Sequence, residues 1–333
     1  MYIINKTNIL KNVISFYLKS DSNLPLMIWG DPGIGKSAIV KSCNNEHFHL
    51  INFAGISSKE DLYGIQPGKT KSGNDTQKFY PLLEYVNTIE DANNYKGNVI
   101  LFLDEINRNE LTLSAAMGLI TDRYLGGMKL PDNVKIISAG NDEGNLITLD
   151  SASLTRYKHV VFKPTLLDWY RNIKFVNEKF QSAFQTILDA HGNELLYNEY
   201  NNEIISGRQL KDLELNLNNS INYSDVILSI NLLPDINGLE WLTMLKIELI
   251  KSFLNNKYKI LYKLLKAFDE NNIEEYALEE NLNCLLKDVN KSDLNNYYDF
   301  IDLTKFKDFK KTLFKNKMQF CYEKIIKVND NGK

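Results

Sequence analysis

Gly30-Asp31-Pro32-Gly33-Ile34-Gly35-Lys36-Ser37 is the stretch on which the reading of this 333-residue chain turns. It fits the spacing G-x-x-x-x-G-K-[ST]. Glycine tolerates backbone conformations that other residues avoid, so successive N–H groups can wrap a chain of phosphates. The first turn of a following helix adds unpaired N–H groups and the positive end of its dipole. At this spacing the Lys36 ammonium reaches the outer phosphates and the Ser37 hydroxyl takes Mg²⁺. The flanks agree. The apolar run Leu26-Met27-Ile28-Trp29 precedes the loop, and Ala38-Ile39-Val40 opens a helical pattern after it. Strand, glycine loop and helix in that order predict a nucleotide site over Gly30, Asp31, Pro32, Gly33, Ile34, Gly35, Lys36, Ser37 and Ala38.

Working outward, four more strand-like runs appear. His47 to Phe53 alternates apolar and polar residues. Val99 to Leu103 is wholly apolar and ends in Asp104-Glu105. Val134 to Ala139 ends near Asn141, and His159 to Phe162 is closed by Pro164. Short apolar runs separated by helical stretches predict a buried parallel sheet with helices on both faces. In such sheets the chemistry collects at the carboxyl ends of the strands. Asp104 is therefore expected to hold Mg²⁺ through water, and Glu105 to activate an attacking water. Asn141 is expected to orient that water. Hydrolysis needs a base of this kind, whereas simple nucleotide sensing does not.

Past Pro164 the pattern becomes helical, with apolar residues three and four apart. Helices are expected at Phe175–Ala190, Gly207–Asn219, Glu274–Val289 and Lys305–Val328. A long stretch from Leu239 to Lys266 reads as two helices meeting around Asn255-Asn256. No strand alternation is expected there.

Composition narrows the class. The formal charge is −3, with 44% hydrophobic and 24% charged residues, ordinary globular values. No apolar run approaches the roughly 20 residues of a membrane span. The charge excludes a strongly basic nucleic-acid binder. Residues 1–26 read as amphipathic, without the features of a signal peptide. Cys43, Cys284 and Cys321 stand far apart, which predicts a reducing, cytoplasmic setting. His47 and His49 face the same side of a strand, but with no carboxylate or Cys constellation near them in sequence no metal site is expected. Of the 39 basic residues only Arg108, Arg123, Arg156, Arg171 and Arg208 are Arg, and the chain holds 41 Asn. Asn and Lys codons are AT-rich, so genome bias accounts for the pattern. Where Lys fills most basic positions, the remaining Arg residues are candidates for work that needs a planar, always-charged fork.

Taken together these motifs resemble the MoxR branch of the AAA+ ATPases. GDPGIGKS at 30–37 resembles its Walker A loop, LFLDEINR at 101–108 its Walker B strand and SAGND at 138–142 its sensor-1 strand end. Leu149 to Tyr157 resembles the segment that carries an arginine finger to a neighbouring subunit, which falls on Arg156. Ile205-Ser206-Gly207-Arg208 resembles a sensor-2 helix start, with Gly207 where the family usually has Pro. Asp61-Leu62-Tyr63-Gly64 matches a segment after the second strand. Thr121 to Asp132 matches a short hairpin inserted into a helix, tipped by Gly126-Gly127, and Arg123 lies where this branch also carries Arg.

The resemblance implies a five-stranded parallel α/β core of strand order 5-1-4-3-2, followed by an all-α lid and a C-terminal helical region. The corresponding bounds are 1–164, 165–245 and 246–333. It implies ATP with Mg²⁺, catalysis by Lys36, Glu105, Asn141, Arg156 and Arg208, and metal binding by Ser37 and Asp104. It further implies a homo-oligomeric ring, commonly hexameric, that remodels or activates a partner protein, as MoxR-type ATPases do with von Willebrand factor A (VWA) domain partners. The alternative is a nucleic-acid motor or loader like the McrB subunits of restriction systems. The basic run from Lys305 to Lys317 reads as the solvated face of an amphipathic helix rather than a nucleic-acid patch.

Overall fold

The apolar runs of the first half assemble into one parallel sheet. In the computed structural model, residues 2–58, 60–108, 110–141, 151–200, 203–220, 223–234, 236, 238–254, 256–271, 273–287, 291–302 and 308–330 are described. In chain order the strands are β1 (Tyr2–Ile4), β2 (Leu26–Trp29), β3 (Phe48–Asn52), β4 (Tyr63–Lys69), β5 (Asp75–Pro81), β6 (Val99–Asp104), β7 (Tyr124–Leu125), β8 (Met128–Lys129), β9 (Val134–Gly140), β10 (Lys158–Phe162), β11 (Asn198–Tyr200) and β12 (Glu203–Ile205). The helices are α1 (Thr7–Lys19), α2 (Lys36–Cys43), α3 (Leu83–Asn94), α4 (Glu110–Asp122), α5 (Ser151–Leu154), α6 (Leu166–Asn172), α7 (Glu178–His191), α8 (Gly207–Asn219), α9 (Tyr223–Asn231), α10 (Glu240–Phe253), α11 (Asn256–Asp269), α12 (Glu275–Leu286), α13 (Lys291–Asp302) and α14 (Asp308–Asp330). One unit comprises residues 1–173, 193–198 and 206–208. The other comprises 174–192, 199–205 and 209–333.

The sheet of the first unit runs β1-β10-β2-β9-β6-β3, and every pairing is parallel. The expected five-strand order is found within it. The sixth strand, β1, goes beyond that expectation, because Tyr2–Ile4 is too short to show alternation and merges with the pattern of α1. It adds to the outer edge of β10. The central strands bury residues of both parities: Met27 and Leu101 on one side, Ile28, Ile100, Phe102 and Ile137 on the other. This two-sided burial explains why their sequences are continuous apolar runs. Tyr85 and Ile89 of α3 and Leu113, Ala116 and Met117 of α4 join the cluster that includes Met27, Leu101 and Ile136.

Three polar side chains inside the core fix main-chain segments. Asp168 of α6 accepts from the Thr7 amide at 3.0 Å and from its hydroxyl at 2.6 Å, which fixes the start of α1. Lys135, within β9, carries its ammonium to the carbonyls that follow α1, Ser20 at 2.8 Å and Ser22 at 3.1 Å. Arg123 is 9% exposed. Its guanidinium donates to the Pro131 and Val134 carbonyls at 2.6 and 2.9 Å, and burial holds its pKa below the ordinary value. The side chain braces the hairpin against β9 from inside.

That hairpin, β7–β8, turns on Gly126 and Gly127 at φ 55° and 81°, the left-handed pair a two-residue hairpin needs. It connects α4 to β9 rather than interrupting a helix. A longer hairpin, β4–β5, has no counterpart among the expected elements. Its strands carry Gly64, Pro67 and Gly68 and are exposed on both sides, so no alternation marks them. His47 and His49 share Asp91 of α3 at 2.9 and 3.0 Å, and His49 also meets Glu84 at 3.2 Å. Burial alone would raise the Asp91 carboxyl, but the two imidazole hydrogen bonds outweigh it and hold it below the usual range. These carboxylates are invisible in the local sequence because α3 lies some 40 residues away. Among the described residues no group of three or more His, Cys, Asp or Glu is arranged to hold a metal ion.

The second unit is helical around Phe180, Phe184, Trp241 and Leu245. Its interior carboxylate, Glu214, accepts from the Val176 and Asn177 amides at 2.5 and 2.9 Å and pairs with Lys211, anchoring the start of α7. The ribbon β11–β12 corrects the expectation that strands end at residue 164. Helices α9 and α13 also lie outside the expected set. No helix among the described residues is long and apolar enough to cross a membrane. Arg123→Ala is expected to lower the unfolding free energy by about 2–3 kcal/mol, since two charge-assisted hydrogen bonds are lost. Urea unfolding of the full chain checks this.

Candidate phosphate-binding site

The site forms where β2 ends. β2 is flanked by β10 and β9, so the chain must leave the sheet between two backbones. A Cβ on Gly30 would lie 2.4 Å from the Phe162 carbonyl oxygen, which excludes any other residue there. Gly33 and Gly35 follow at φ 75° and 96°. α2 begins directly at Lys36, so its unpaired N–H groups face the loop.

Lys36 is 7% exposed. Its ammonium donates to the Gly30 carbonyl at 2.5 Å, the Asp31 carbonyl at 3.0 Å and Asn141 Oδ1 at 2.9 Å. One residue on, the Ser37 hydroxyl donates to Asp104 Oδ2 at 2.5 Å. Asp104 ends β6, and its other oxygen accepts from the Glu105 amide at 3.0 Å. Glu105 itself sits at φ 53°, an uncommon conformation for a residue with a side chain. That turn directs its carboxylate to Arg108, at 2.6 Å. Lys36 therefore meets Asn141 directly and Ser37 meets Asp104, and Glu105 follows Asp104 with Arg108 as its partner.

Asn107 belongs to the site; it falls inside LFLDEINR at 101–108, where the sequence reading gives it no role of its own. It is 3% exposed, donates to the Asn141 carbonyl at 2.9 Å and accepts from the Asn141 amide at 3.2 Å. These reciprocal bonds fix the main chain of Asn141 and so the oxygen that Lys36 holds. Gly140 makes room for the clamp: a Cβ there would lie 2.9 Å from Asn107 Oδ1. A polar residue just past a strand end that carries two acids is the one signal in the sequence.

Arg208 opens α8 and borders the loop from the same unit. A Cβ on Gly33 would lie 2.7 Å from Ser206 Oγ and 3.4 Å from Arg208 Cβ. Arg156 comes after α5 on a turn in which its amide donates to the Ser153 carbonyl at 3.2 Å, and it is half-buried. Asp142, Leu149 and Asp150 of the motifs lie outside the described residues. Arg171 ends α6 on the surface.

The residues present suit a nucleoside triphosphate and Mg²⁺. A Cβ on Gly35 would meet nothing within 4 Å, so the loop is open above that residue. The hydroxyl and carboxylate of Ser37 and Asp104 are the hard oxygen donors that Mg²⁺ takes.

No family model matches the chain. A stretch of 190 residues is 25% identical to the chaperone protein ClpB of Aquifex aeolicus (strain VF5), covering 56% of this chain and 17% of that one. The chain thus spans a small part of that relative's length. Among solved structures, it superposes on a mutant of Thermotoga maritima RuvB at a TM-score of 0.39. The identity is 13%, covering 84% of this chain and 83% of that one. Against PCH-2 of C. elegans the TM-score is 0.38 at 14% identity, covering 74% and 69%.

Asn107→Ala would leave both main-chain groups of Asn141 without their partners. A loss of about 1–3 kcal/mol of stability is expected. Asn107→Asp keeps the acceptor but sets a buried carboxylate oxygen against the Asn141 carbonyl, and is expected to lose at least as much. Parallel urea unfolding of the two variants is the measurement.

Proposed function

We propose that this chain is an ATP-hydrolysing AAA+ ATPase of the MoxR-like branch that assembles into a ring and remodels a partner protein. The observation that carries this reading is the convergence of Lys36, Ser37, Asp104 and Asn141 around the end of β2. The 25% identity to a protein named a chaperone supports a protein partner, and a VWA-domain protein is the partner we favour.

In this reading Gly33, Ile34, Gly35 and the first amides of α2 bind the phosphates, with Asp31, Pro32 and Ala38 shaping the loop. Lys36 exchanges its carbonyl partners for the outer phosphate oxygens. Ser37 and Asp104 would hold Mg²⁺, which would supply neutralisation of charge on the triphosphate. Glu105 takes a proton from the water that attacks the terminal phosphorus, and ADP and inorganic phosphate leave. Asn141 orients that water. Arg208 meets the nucleotide from the lid side, and Arg156 meets the phosphates bound by a neighbouring subunit. Such a finger is worth about 10³- to 10⁵-fold in turnover, because it meets charge that develops in the transition state. The core would span 1–164, the lid 165–245 and an extension 246–333.

Lys36→Ala is expected to abolish ATP binding in titration calorimetry. Glu105→Gln is expected to bind ATP normally and to lose about 10²- to 10⁴-fold in turnover. Normal turnover by Glu105→Gln would remove the base assignment. Mixed assemblies of Glu105→Gln with Arg156→Ala subunits are expected to recover partial activity, since some interfaces then pair an intact base with an intact arginine. Complete absence of recovery would overturn the shared site.

A further inference from the structure

His159 of β10 links the strand that feeds the phosphate loop to the turn that carries Arg156. Trp29, the last residue of β2, donates its indole N–H to His159 Nδ1 at 3.0 Å. On the far side of the ring, His159 Nε2 meets the Leu154 carbonyl at 2.6 Å. An indole N–H can only donate and a carbonyl can only accept. Nδ1 must therefore be the bare acceptor and Nε2 the protonated donor, which sets one neutral tautomer. The Trp29 and His159 rings lie nearly parallel, 13° apart.

α5 spans four residues, too short to hold its own conformation. The turn after it depends on external anchors. The Leu154 carbonyl accepts from the Tyr157 amide at 3.3 Å as well as from His159. Tyr157 is buried, with its hydroxyl 3.3 Å from Ser138 Oγ of β9. Arg156 thus lies between two fixed points, the Leu154 carbonyl and the Tyr157 ring. Trp29 is itself packed into the site: a Cβ on Gly140 would lie 2.9 Å from its Cζ3.

We infer that His159 is a positioning residue for Arg156, holding the arginine-bearing turn at a fixed place relative to the phosphate loop through the Trp29–His159–Leu154 relay. The inference rests on the ATPase reading above. The arm that matters is Nε2 to Leu154, because of the two ring nitrogens it is the one that touches the turn.

The two arms can be separated by side-chain length. His159→Gln can present an N–H near the Nε2 position, whereas His159→Asn presents its polar atoms only near Nδ1. Steady-state ATP turnover and ATP affinity are measured on the full chain for both variants, for Arg156→Ala and for His159→Asn combined with Arg156→Ala. His159→Asn is expected to lose about tenfold or more in kcat at unchanged ATP affinity, while His159→Gln recovers most of the activity. The double variant is expected to be no slower than Arg156→Ala alone, since both changes remove the same action. If His159→Asn does not fold, Trp29→Phe removes the bond that sets the tautomer and is read by the same measurements, with a kcat loss expected. Equal activity of His159→Asn and His159→Gln, or additive losses in the double variant, overturns the inference while leaving the ATPase reading intact. Full turnover by Arg156→Ala would instead remove the arginine's role and the inference with it.

Discussion

The buried ammonium of Lys36 is the interaction on which the rest of the site depends. A charged group at 7% exposure is costly unless hydrogen-bonded on all sides. Here its partners come from different directions: the Gly30 and Asp31 carbonyls behind it and Asn141 Oδ1 from the end of β9. Those three acceptors are neutral. An anionic phosphate oxygen offers a stronger, charge-assisted partner at the same place. The loop can turn its carbonyls inward only because Gly30 tolerates the Phe162 carbonyl against its α-carbon. The sheet order matters for the same reason: β2 must lie beside β9 for Asn141 to reach Lys36, and β6 beside β9 for Asp104 to reach Ser37.

The central sheet is legible because two-sided burial leaves a strong trace. β2, β6 and β9 are runs of apolar residues with few interruptions, and each ends at a residue of the site. The boundaries of α8, Gly207–Asn219, can also be read directly, since its apolar spacing is regular. The elements that escape lack such a trace. β4–β5 is exposed on both sides and β1 is three residues long. Partnerships across long sequence separation escape as well. Nothing local links His47 to Asp91, and nothing local links Asn107 to the main chain of Asn141.

The scarcity of Arg is a partial guide to function. Arg108 and Arg208 border the candidate site, one paired with Glu105 and the other beside Gly33. Arg123 serves a different purpose. One terminal nitrogen reaches two carbonyls, of Pro131 and Val134, inside the core, and burial there favours a weakly hydrated, delocalised cation over an ammonium. Scarce Arg therefore marks positions of more than one kind, a buried brace as well as residues beside the loop.

Histidine is even rarer, with four in the chain, and each is engaged within the fold. His47 and His49 tie the edge strand β3 to α3 through Asp91, and His191 closes α7. His159 differs in the groups it joins. Its two nitrogens meet partners of opposite hydrogen-bonding character, a donor on β2 and an acceptor after β9. No aliphatic or singly polar residue of that length could satisfy both. The same strand end that delivers Gly30 to the loop thereby delivers Trp29 to the relay, so the loop and the Arg156 turn share one rigid support rather than two independent ones.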